Sequence, residues 1–408
     1  MKYADIDITI ESVEAGEKAY AKHWINGIAE YSWESLLKSK AILKGPIYTP
    51  SDGYRSVNVS IRRKLELYAN VRPVMSYEPF VNCVVGDVDL VIIRENEEGA
   101  YTGVEYRRSK NIAEKYPKIQ KEKHIVDIGM ARLAARPNKF DVVVTTNLYG
   151  DIASDIAAEM TGSIGLAGSA NIGDNYSMFE AVHGTAPDIA GKGIANPSGL
   201  LNAAIMMLNH LGFVDKASII KNAFLKTIES GIHTFDIESN RTTKVVGTKD
   251  FTEAVIENLG MRPSILKESI FYKNKKISSF IHDQDNMLPK FNTRGVVCMD
   301  VCIAIDSKVD FEFEPNSIAE NITKILENNL ALGVIFCKGL KIWPNAPRYS
   351  NIKDSCTLRI INIKVGSTVE YIHAMSCINK ITEIGLIVTS IDFLFEFDDK
   401  PGFSFSDN

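Results

Sequence analysis

Cysteine is scarce and scattered in this chain of 408 residues. Cys83, Cys298, Cys302, Cys337, Cys356 and Cys377 form no CxxC pair, which argues against a disulfide framework or a cysteine zinc site. They read as reduced thiols of a cytoplasmic protein. No apolar run approaches ~18 residues, so no transmembrane helix and no membrane partner are expected. The opening MKYADIDITIESVEAG lacks the apolar stretch of a secretory signal. Excess basic charge is absent as well. The net charge is -5, which points away from nucleic acid as a partner. The remainder is ordinary for a soluble globular protein, with 45% hydrophobic and 24% charged residues, enough for a large core. At ~150 residues per domain, two to three domains are expected.

Short apolar runs read as strands: AILKGPI (41–47), VDLVIIREN (88–96), HIVDIGM (124–130) and FDVVVTTN (140–147). Helical stretches cover 56–71, 153–162, 197–212 and 216–231. This alternation predicts an α/β fold around a buried sheet. Asn196–Pro197–Ser198 suits a helix start, and Gly212 a stop. Residues 261–290, rich in Lys, Ser and Asn, read as a linker. A second pattern follows: strand 295–306, helix 315–329, strand 332–338, strand 356–363, helix 368–382 and strand 385–395. That order suits a ferredoxin-like α+β module. Cys298 and Cys302 share one strand and one face of it, as core residues.

Three constellations carry chemistry. In SVNVSIRRKLELYANVRP, Ser56, Asn58 and Arg62 lie near the start of a helix and Arg72 follows it. Arg94 ends an apolar strand, where ligands of open α/β sheets usually bind. Arginine suits bidentate carboxylate binding, although arginines at helix starts and strand ends are also common surface residues. In NLYGDIASD, Asp151 and Asp155 are four apart and stack on one helix face. Such a pair suits Mg²⁺ or Mn²⁺, and equally suits the first turn of a helix. Asp127, in HIVDIGM, reads as a charge inside an apolar strand, which asks for a cation nearby. In FEAVHGTAPDIAGKGIANPSG, Gly184, Gly191 and Gly193 allow close backbone approach to a phosphate or an adenine ring. No GxGxxG follows a strand, so this is not the ordinary dinucleotide fingerprint.

In order and spacing these motifs resemble the isocitrate and isopropylmalate dehydrogenase family over residues 5–260. The tail resembles the extra C-terminal domain of a long bacterial isocitrate dehydrogenase subgroup. The Ser-x-Asn-x-x-x-Arg arrangement of Ser56, Asn58 and Arg62 is similar to the isocitrate-specific members. Isopropylmalate-specific members have apolar residues at the first two positions. The resemblance implies an isopropylmalate-dehydrogenase-like two-domain α/β fold followed by the ferredoxin-like domain. A large cofactor-binding domain would take residues 1–67 and 162–260, and a small substrate, metal and dimer domain 68–161. The linker and a C-terminal domain from 291 to 408 would complete the chain.

The implied activity is oxidative decarboxylation of isocitrate to 2-oxoglutarate by a homodimer. Ser56, Asn58, Arg62, Arg72 and Arg94 would hold the substrate. Asp151 and Asp155, with Asp127 of the partner subunit, would hold Mg²⁺ or Mn²⁺. Tyr101 would protonate the enol after CO₂ loss. Thr49, Glu180, His183, Gly184, Thr185, Ala186, Pro187, Asp188, Ile189 and Asn196 would bind the cofactor. Asp188–Ile189 matches the NAD-type pattern, since NADP-type members tend to carry Lys–Tyr there and an arginine where Ser239 stands. A carboxylate at 188 accepts from a ribose hydroxyl and repels a 2′-phosphate, so NAD is favoured, with NADP the alternative.

The chain also departs from the family pattern. The family opens with an apolar strand and a GDGIG-like turn, and this chain is expected to start after them. Beyond GVEYRR (103–108) the family continues into a dimer clasp and a strand carrying a catalytic lysine. Here SKNIAEKYPKIQKEKHIVDIG follows, and Lys110, Lys115 and Lys118 stand outside that context. Tyr48 replaces a usual threonine beside the nicotinamide. Losing a positioned proton-transfer group lowers a rate typically ~10²–10⁴-fold. A second expectation follows: a catalytically inactive relative that acts as a ligand-binding or partner subunit.

Overall fold

The computed structural model describes residues 6–50, 56–96, 118–272, 294–304, 314–337, 340–345, 355–364, 368–397 and 400–401. The chain divides into two compact units, Met1–Thr102 with Lys118–Ile281, and Gly103–Pro117 with His282–Asn408. Among the described residues no helix is long and apolar enough to cross a membrane.

The first unit is built on a six-stranded sheet of β1 (Ala41–Lys44), β2 (Ala69–Met75), β3 (Asp89–Glu95), β4 (Val142–Thr145), β5 (Gly168–Ile172) and β6 (Ser177–Ala181). The spatial order is β1-β6-β5-β2-β3-β4, with β1/β6 and β3/β4 parallel and the other pairs antiparallel. The helices are α1 (Glu17–Ala21), α2 (Glu30–Lys38), α3 (Val57–Lys64), α4 (Val126–Ala135), α5 (Asn147–Met160), α6 (Ser198–His210), α7 (Val214–Glu229) and α8 (Thr248–Glu257). Alternation along β6 explains its burial on both faces. Met178 packs with Trp33, Leu36, Val57 and Ile61 of α2 and α3, whereas Phe179 packs with Ala203 and Met207 of α6. On β2 and β3, residues Val74, Leu90 and Ile92 pack against Ala153, Ala157 and Met160 of α5. A short parallel pair, β7 (Ile232–His233) and β8 (Lys244–Val245), lies beyond α7.

Two expectations need correction. HIVDIGM is not a strand, because α4 begins at Val126. Met130, Leu133 and Ala134 pack together in the cluster under β3, which is helical spacing, while Ile125 and Ile128 stay exposed. The helix expected over 56–71 stops after Lys64. The chain then turns through Glu66, which has φ +53°, and enters β2. The helix expected over 153–162 begins earlier, at Asn147, whereas those expected over 197–212 and 216–231 fall within two residues of their periodicity. Ser198 opens α6, its N–H donating to Asn196 Oδ1 at 3.0 Å, and Gly212 follows that helix with φ +88°.

Part of the stretch read as a linker lies along α7. Glu229 accepts from the backbone N–H of Ser264, Ile265 and Leu266. Asn222 exchanges two hydrogen bonds with Ser269, and Ser218 accepts from the Phe271 N–H.

The second unit contains β9 (Arg294–Ala304), α9 (Pro315–Ile325), β10 (Leu330–Cys337), β11 (Leu340–Trp343), β12 (Ser355–Asn362), α10 (Tyr371–Glu383), β13 (Ile387–Phe397) and β14 (Lys400–Pro401). Its sheet is antiparallel, in the order β11-β10-β12-β9-β13-β14. The expected ferredoxin-like arrangement is present, with β11 and β14 added at the edges. Met299, Val301 and Ile303 of β9 pack with Ile318 and Ile322 of α9 and Ile381 of α10. Cys298 and Cys302 share a face, as expected, but alternation puts them on the side away from those helices. Asp300 stands between them and takes a bidentate pair from Arg359 at 2.8 and 2.8 Å.

Candidate functional site

Every second residue of β2 and β3 faces α5, and that alternation brings polar side chains into the sheet's interior. Asn70 and Arg72 share the face of Val74, and Arg94 continues the line of Leu90 and Ile92. Gly150 lets Arg94 pass beneath α5, because a Cβ there would lie 2.6 Å from Arg94 Cβ. Arg94 then reaches Asn147 Oδ1 through Nε at 3.1 Å and Nη2 at 2.7 Å, and pairs with Asp151 through Nη1. Arg72 donates to Ser154 Oγ at 2.5 Å and to Asn70 Oδ1 at 3.2 Å. Its Nη1 lies 3.0 Å from Asp151 and 3.8 Å from Asp155. Burial pulls the Arg94 guanidinium down to about 10, and Asp151 opposes that pull. Arg72 is displaced in the same direction for the same reason. Burial and the neighbouring Asp151 both push the Asp155 carboxyl up.

A second set of charges sits across the sheet. Glu180 on β6 is buried between Lys44 Nζ at 2.8 Å and Arg62 Nη2 at 2.7 Å. Burial pushes its carboxyl up, but the two cations more than reverse this and hold it at about 2. Asn171 joins the two sets. Its Nδ2 donates to Glu180 Oε1 at 2.9 Å, and its Oδ1 accepts from Asn70 Nδ2 at 2.9 Å and Asn96 Nδ2 at 2.8 Å. One relay, buried except at the half-exposed Asp151, thus runs from Lys44 and Arg62 through Glu180, Asn171 and Asn70 to Arg72, Asp151 and Arg94.

Arg62, Arg72 and Arg94 therefore come together, in one network with Glu180 and Asp151. Arg62 lies in the last turn of its short helix, not near the start as expected. Asn58, one turn earlier, keeps a buried Oδ1 with no hydrogen-bond partner among the described residues. Ser56 precedes α3 and lines a surface cleft with Trp33, Ser60, Arg63 and Lys64, outside the relay. Asp151 and Asp155 stack on α5 as expected, with side chains 46% and 55% exposed. Asp127 is not a buried strand carboxylate. It sits exposed in the first turn of α4, accepting from the Ile128 N–H at 2.6 Å. Among the described residues no three His, Cys, Asp or Glu side chains of the chain converge as a metal site.

The loop from His183 to Asn196 leads out of β6 into α6. Gly184, Pro187 and Asp188 are exposed, and His183, Thr185 and Ile189 are half-buried. Ala186, Gly191 and Gly193 take φ of +42°, +75° and +67°. That region favours glycine, and Ala186 adopts it on the exposed loop. Asn196 is buried. Ser239 donates to the Phe80 carbonyl at 2.6 Å, and exposed Arg241 follows two residues on. Thr49 is half-buried in the irregular segment after β1, next to exposed Tyr48. Tyr101 lies outside the described residues.

Sequence reading missed Lys44, Asn70, Asn96, Asn147, Ser154 and Asn171. Lys44 ends an apolar strand just as Arg94 does, so the same signal could have found it. Asn147 stands one helical turn before Asp151. The asparagines of the sheet carry no local signal, since Asn70 and Asn171 are 101 residues apart.

The family model described as isocitrate/isopropylmalate dehydrogenase matches residues 1–115 and 106–255. That described as the C-terminal domain of bacterial isocitrate dehydrogenase matches 294–408. An "Isocitrate dehydrogenase [NADP]" of Rickettsia prowazekii is 41% identical over 461 positions, covering 99% of this chain and 94% of that protein. A protein of the same name from Thermus thermophilus is 30% identical, covering 99% and 90%. The solved structure of the TT0538 protein from Thermus thermophilus superposes with a TM-score of 0.84 at 27% identity, covering 99% of this chain and 90% of that one. Isocitrate dehydrogenase from Methylococcus capsulatus gives 0.58 at 34% identity, covering 63% and 92%. The 461 aligned positions exceed the 408 residues of this chain by 53, so at least that many find no residue here. The two family matches overlap at 106–115.

Proposed function

The chain belongs to the isocitrate/isopropylmalate dehydrogenase family and is an oxidoreductase of the isocitrate dehydrogenase type; from that premise we propose that it oxidises and decarboxylates isocitrate to 2-oxoglutarate, with NADP as hydride acceptor and Mg²⁺ or Mn²⁺ at Asp151 and Asp155. The observation that carries the reading is the convergence of Lys44, Arg62, Arg72 and Arg94 on one relay. A tricarboxylate needs several fixed cations, and forked guanidiniums suit its carboxylates. Arg72 and Arg94 now share Asp151, so a substrate carboxylate and Asp151 compete for the same donors. Two carboxylates one helical turn apart suit a hard divalent cation. Bound there, such an ion would supply Lewis-acid polarisation of the substrate hydroxyl and stabilise the oxyanion left by CO₂ loss. Asp127 of the partner subunit would complete its ligands, and Tyr101 would return a proton to carbon.

The names of the relatives support NADP over the whole chain. Exposed Asp188 favours NAD as the second reading, because its carboxylate repels a 2′-phosphate. The relative's positions that find no residue here, together with the break between the two family matches, favour a non-catalytic subunit that keeps the binding site. One assay separates all three: isocitrate-dependent reduction of NADP and of NAD by the purified chain with Mg²⁺, alongside calorimetric binding of isocitrate. Faster turnover with NADP supports the proposal. Faster turnover with NAD supports the second reading, and binding without turnover supports the third.

A homodimer is part of the proposal. Ile125 and Ile128 of the α4 region, Leu148 and Ile152 of α5, and Val142 and Val144 of edge strand β4 are all exposed apolar residues that a second copy would cover. Light scattering that gives a monomer mass would reject it. Six free cysteines support a reducing, cytoplasmic location.

A further inference from the structure

The loop at 183–196 is held at its far end by residues that no sequence pattern singles out. Asp236, in the 3-10 turn Phe235–Ile237, is the first hold. Its Oδ2 accepts from Ser163 Oγ at 2.6 Å and from Asn196 Nδ2 at 2.9 Å, and its Oδ1 accepts from Thr234 Oγ1 at 2.5 Å. The other end of the Asn196 amide accepts from the Ser198 N–H at 3.0 Å. Both ends of that buried amide are therefore engaged within the protein, and Asn196 shapes the loop from beneath.

The start of α8 is the second hold. The Thr248 N–H donates to the Gly193 carbonyl at 2.8 Å, and Thr248 Oγ1 donates to the Ala195 carbonyl. Gly247 lies directly against the same loop, where an added Cβ would meet Gly193 O at 2.6 Å. Its backbone, at φ -83° and ψ 178°, is open to any residue. Glycine is therefore required there by the contact and not by the conformation.

We propose that Asp236 and the Gly247–Thr248 pair are positioning residues that preform the dinucleotide-binding loop by fixing residues 193–196. The proposal rests on the reading of 183–196 as that loop. Its physical basis is preorganisation. A loop holding Ala186, Gly191 and Gly193 at positive φ has a large ordering cost, and a clamp meets that cost before the ligand arrives. The clamp lies outside the arginine relay, so it should act on cofactor affinity and not on isocitrate affinity.

The test uses the full chain as wild type, Asp236→Ala, Asp236→Asn and Gly247→Ala. Dissociation constants for NADP, NAD and isocitrate–Mg²⁺ are measured by calorimetry, together with thermal midpoints. Asp236→Ala leaves Ser163 and Asn196 donating to nothing, and Gly247→Ala pushes on the Gly193 carbonyl by a different route. Each is expected to weaken dinucleotide binding by about tenfold, with isocitrate affinity within about twofold. Asp236→Asn keeps one acceptor oxygen and should fall between Asp236→Ala and wild type. Unchanged dinucleotide affinity in both alanine variants overturns the proposal. So does a parallel loss of dinucleotide affinity, isocitrate affinity and thermal midpoint, which marks a general structural role. A wild-type chain that binds neither dinucleotide rejects the reading of the loop itself, a result seen before any variant is made.

Discussion

Replacing Glu180 by glutamine should reveal how much the buried relay depends on one negative charge. The Lys44 and Glu180 side chains are 7% and 6% exposed, and that of Arg62 is 11% exposed. Glutamine keeps the shape but leaves two buried cations without a counter-charge. Breaking a buried pair in this way costs about 3–5 kcal/mol, a large share of the ~5–15 kcal/mol that holds a typical domain folded. The melting temperature should fall by roughly 6–20 °C. A second estimate comes from the carboxyl itself, held at about 2 against an ordinary value of 4.5. That displacement is of the same order, about 3 kcal/mol, and has the same two cations as its cause.

The direction with pH follows. The folded-state value lies below the unfolded one, so the charge stabilises the fold above about pH 4.5 and that contribution is lost as the pH falls towards 2. Urea unfolding of wild type and Glu180→Gln at a series of pH values measures the gap. Every other titrating group is common to both proteins, so their difference isolates this one. Adding Lys44→Met to the variant should recover at least ~1 kcal/mol, because it removes one excess cation. A gap under ~1 kcal/mol at neutral pH would refute the reasoning, as would a gap that stays constant as the pH falls towards 2.

Gly150→Ala should displace Arg94, whose Cβ and Cγ would lie 2.6 and 2.7 Å from the new methyl. Overpacking of this kind costs about 1–3 kcal/mol, and the isocitrate KM should rise with the loss of stability. Glu229→Ala should free the backbone amides of residues 264–266, and hydrogen exchange there should quicken about tenfold or more while α7 itself stays protected. Asp188→Lys should raise the ratio of kcat/KM for NADP over NAD by about tenfold or more, because it replaces a repelling charge with an attracting one beside a 2′-phosphate. An unchanged ratio would remove Asp188 from the account of cofactor choice.

Much of the fold was legible because its signals are local. β1, β3, β4, α6 and α7 lie where their periodicity places them, and the ferredoxin-like order of the second unit follows from its run of strands and helices. The failure at HIVDIGM has the usual cause of short apolar runs. Four to seven apolar residues suit a strand or a helix equally, and only the packing of Leu133 beneath β3 decides between them. The same failure misplaced Asp127, which needed no buried cation once its backbone was helical. Among the candidate site residues, the stacked Asp151 and Asp155 were readable from a spacing of four, and Arg94 from its place at a strand end.

By itself, the sequence determined the inventory: several arginines, a pair of helical carboxylates and a glycine-rich loop, with spacings that local geometry turns into faces and turns. Tertiary structure alone decided which carboxylate each cation meets. Arg62 pairs with Glu180 across 118 residues, and Asn70 with Asn171 across 101. No spacing encodes such pairs, because the order in which strands enter the sheet sets them. A buried charge must then be matched where the fold brings it, and that requirement ties Lys44, Arg62, Glu180 and Asn171 to Arg72, Asp151 and Arg94 in one relay.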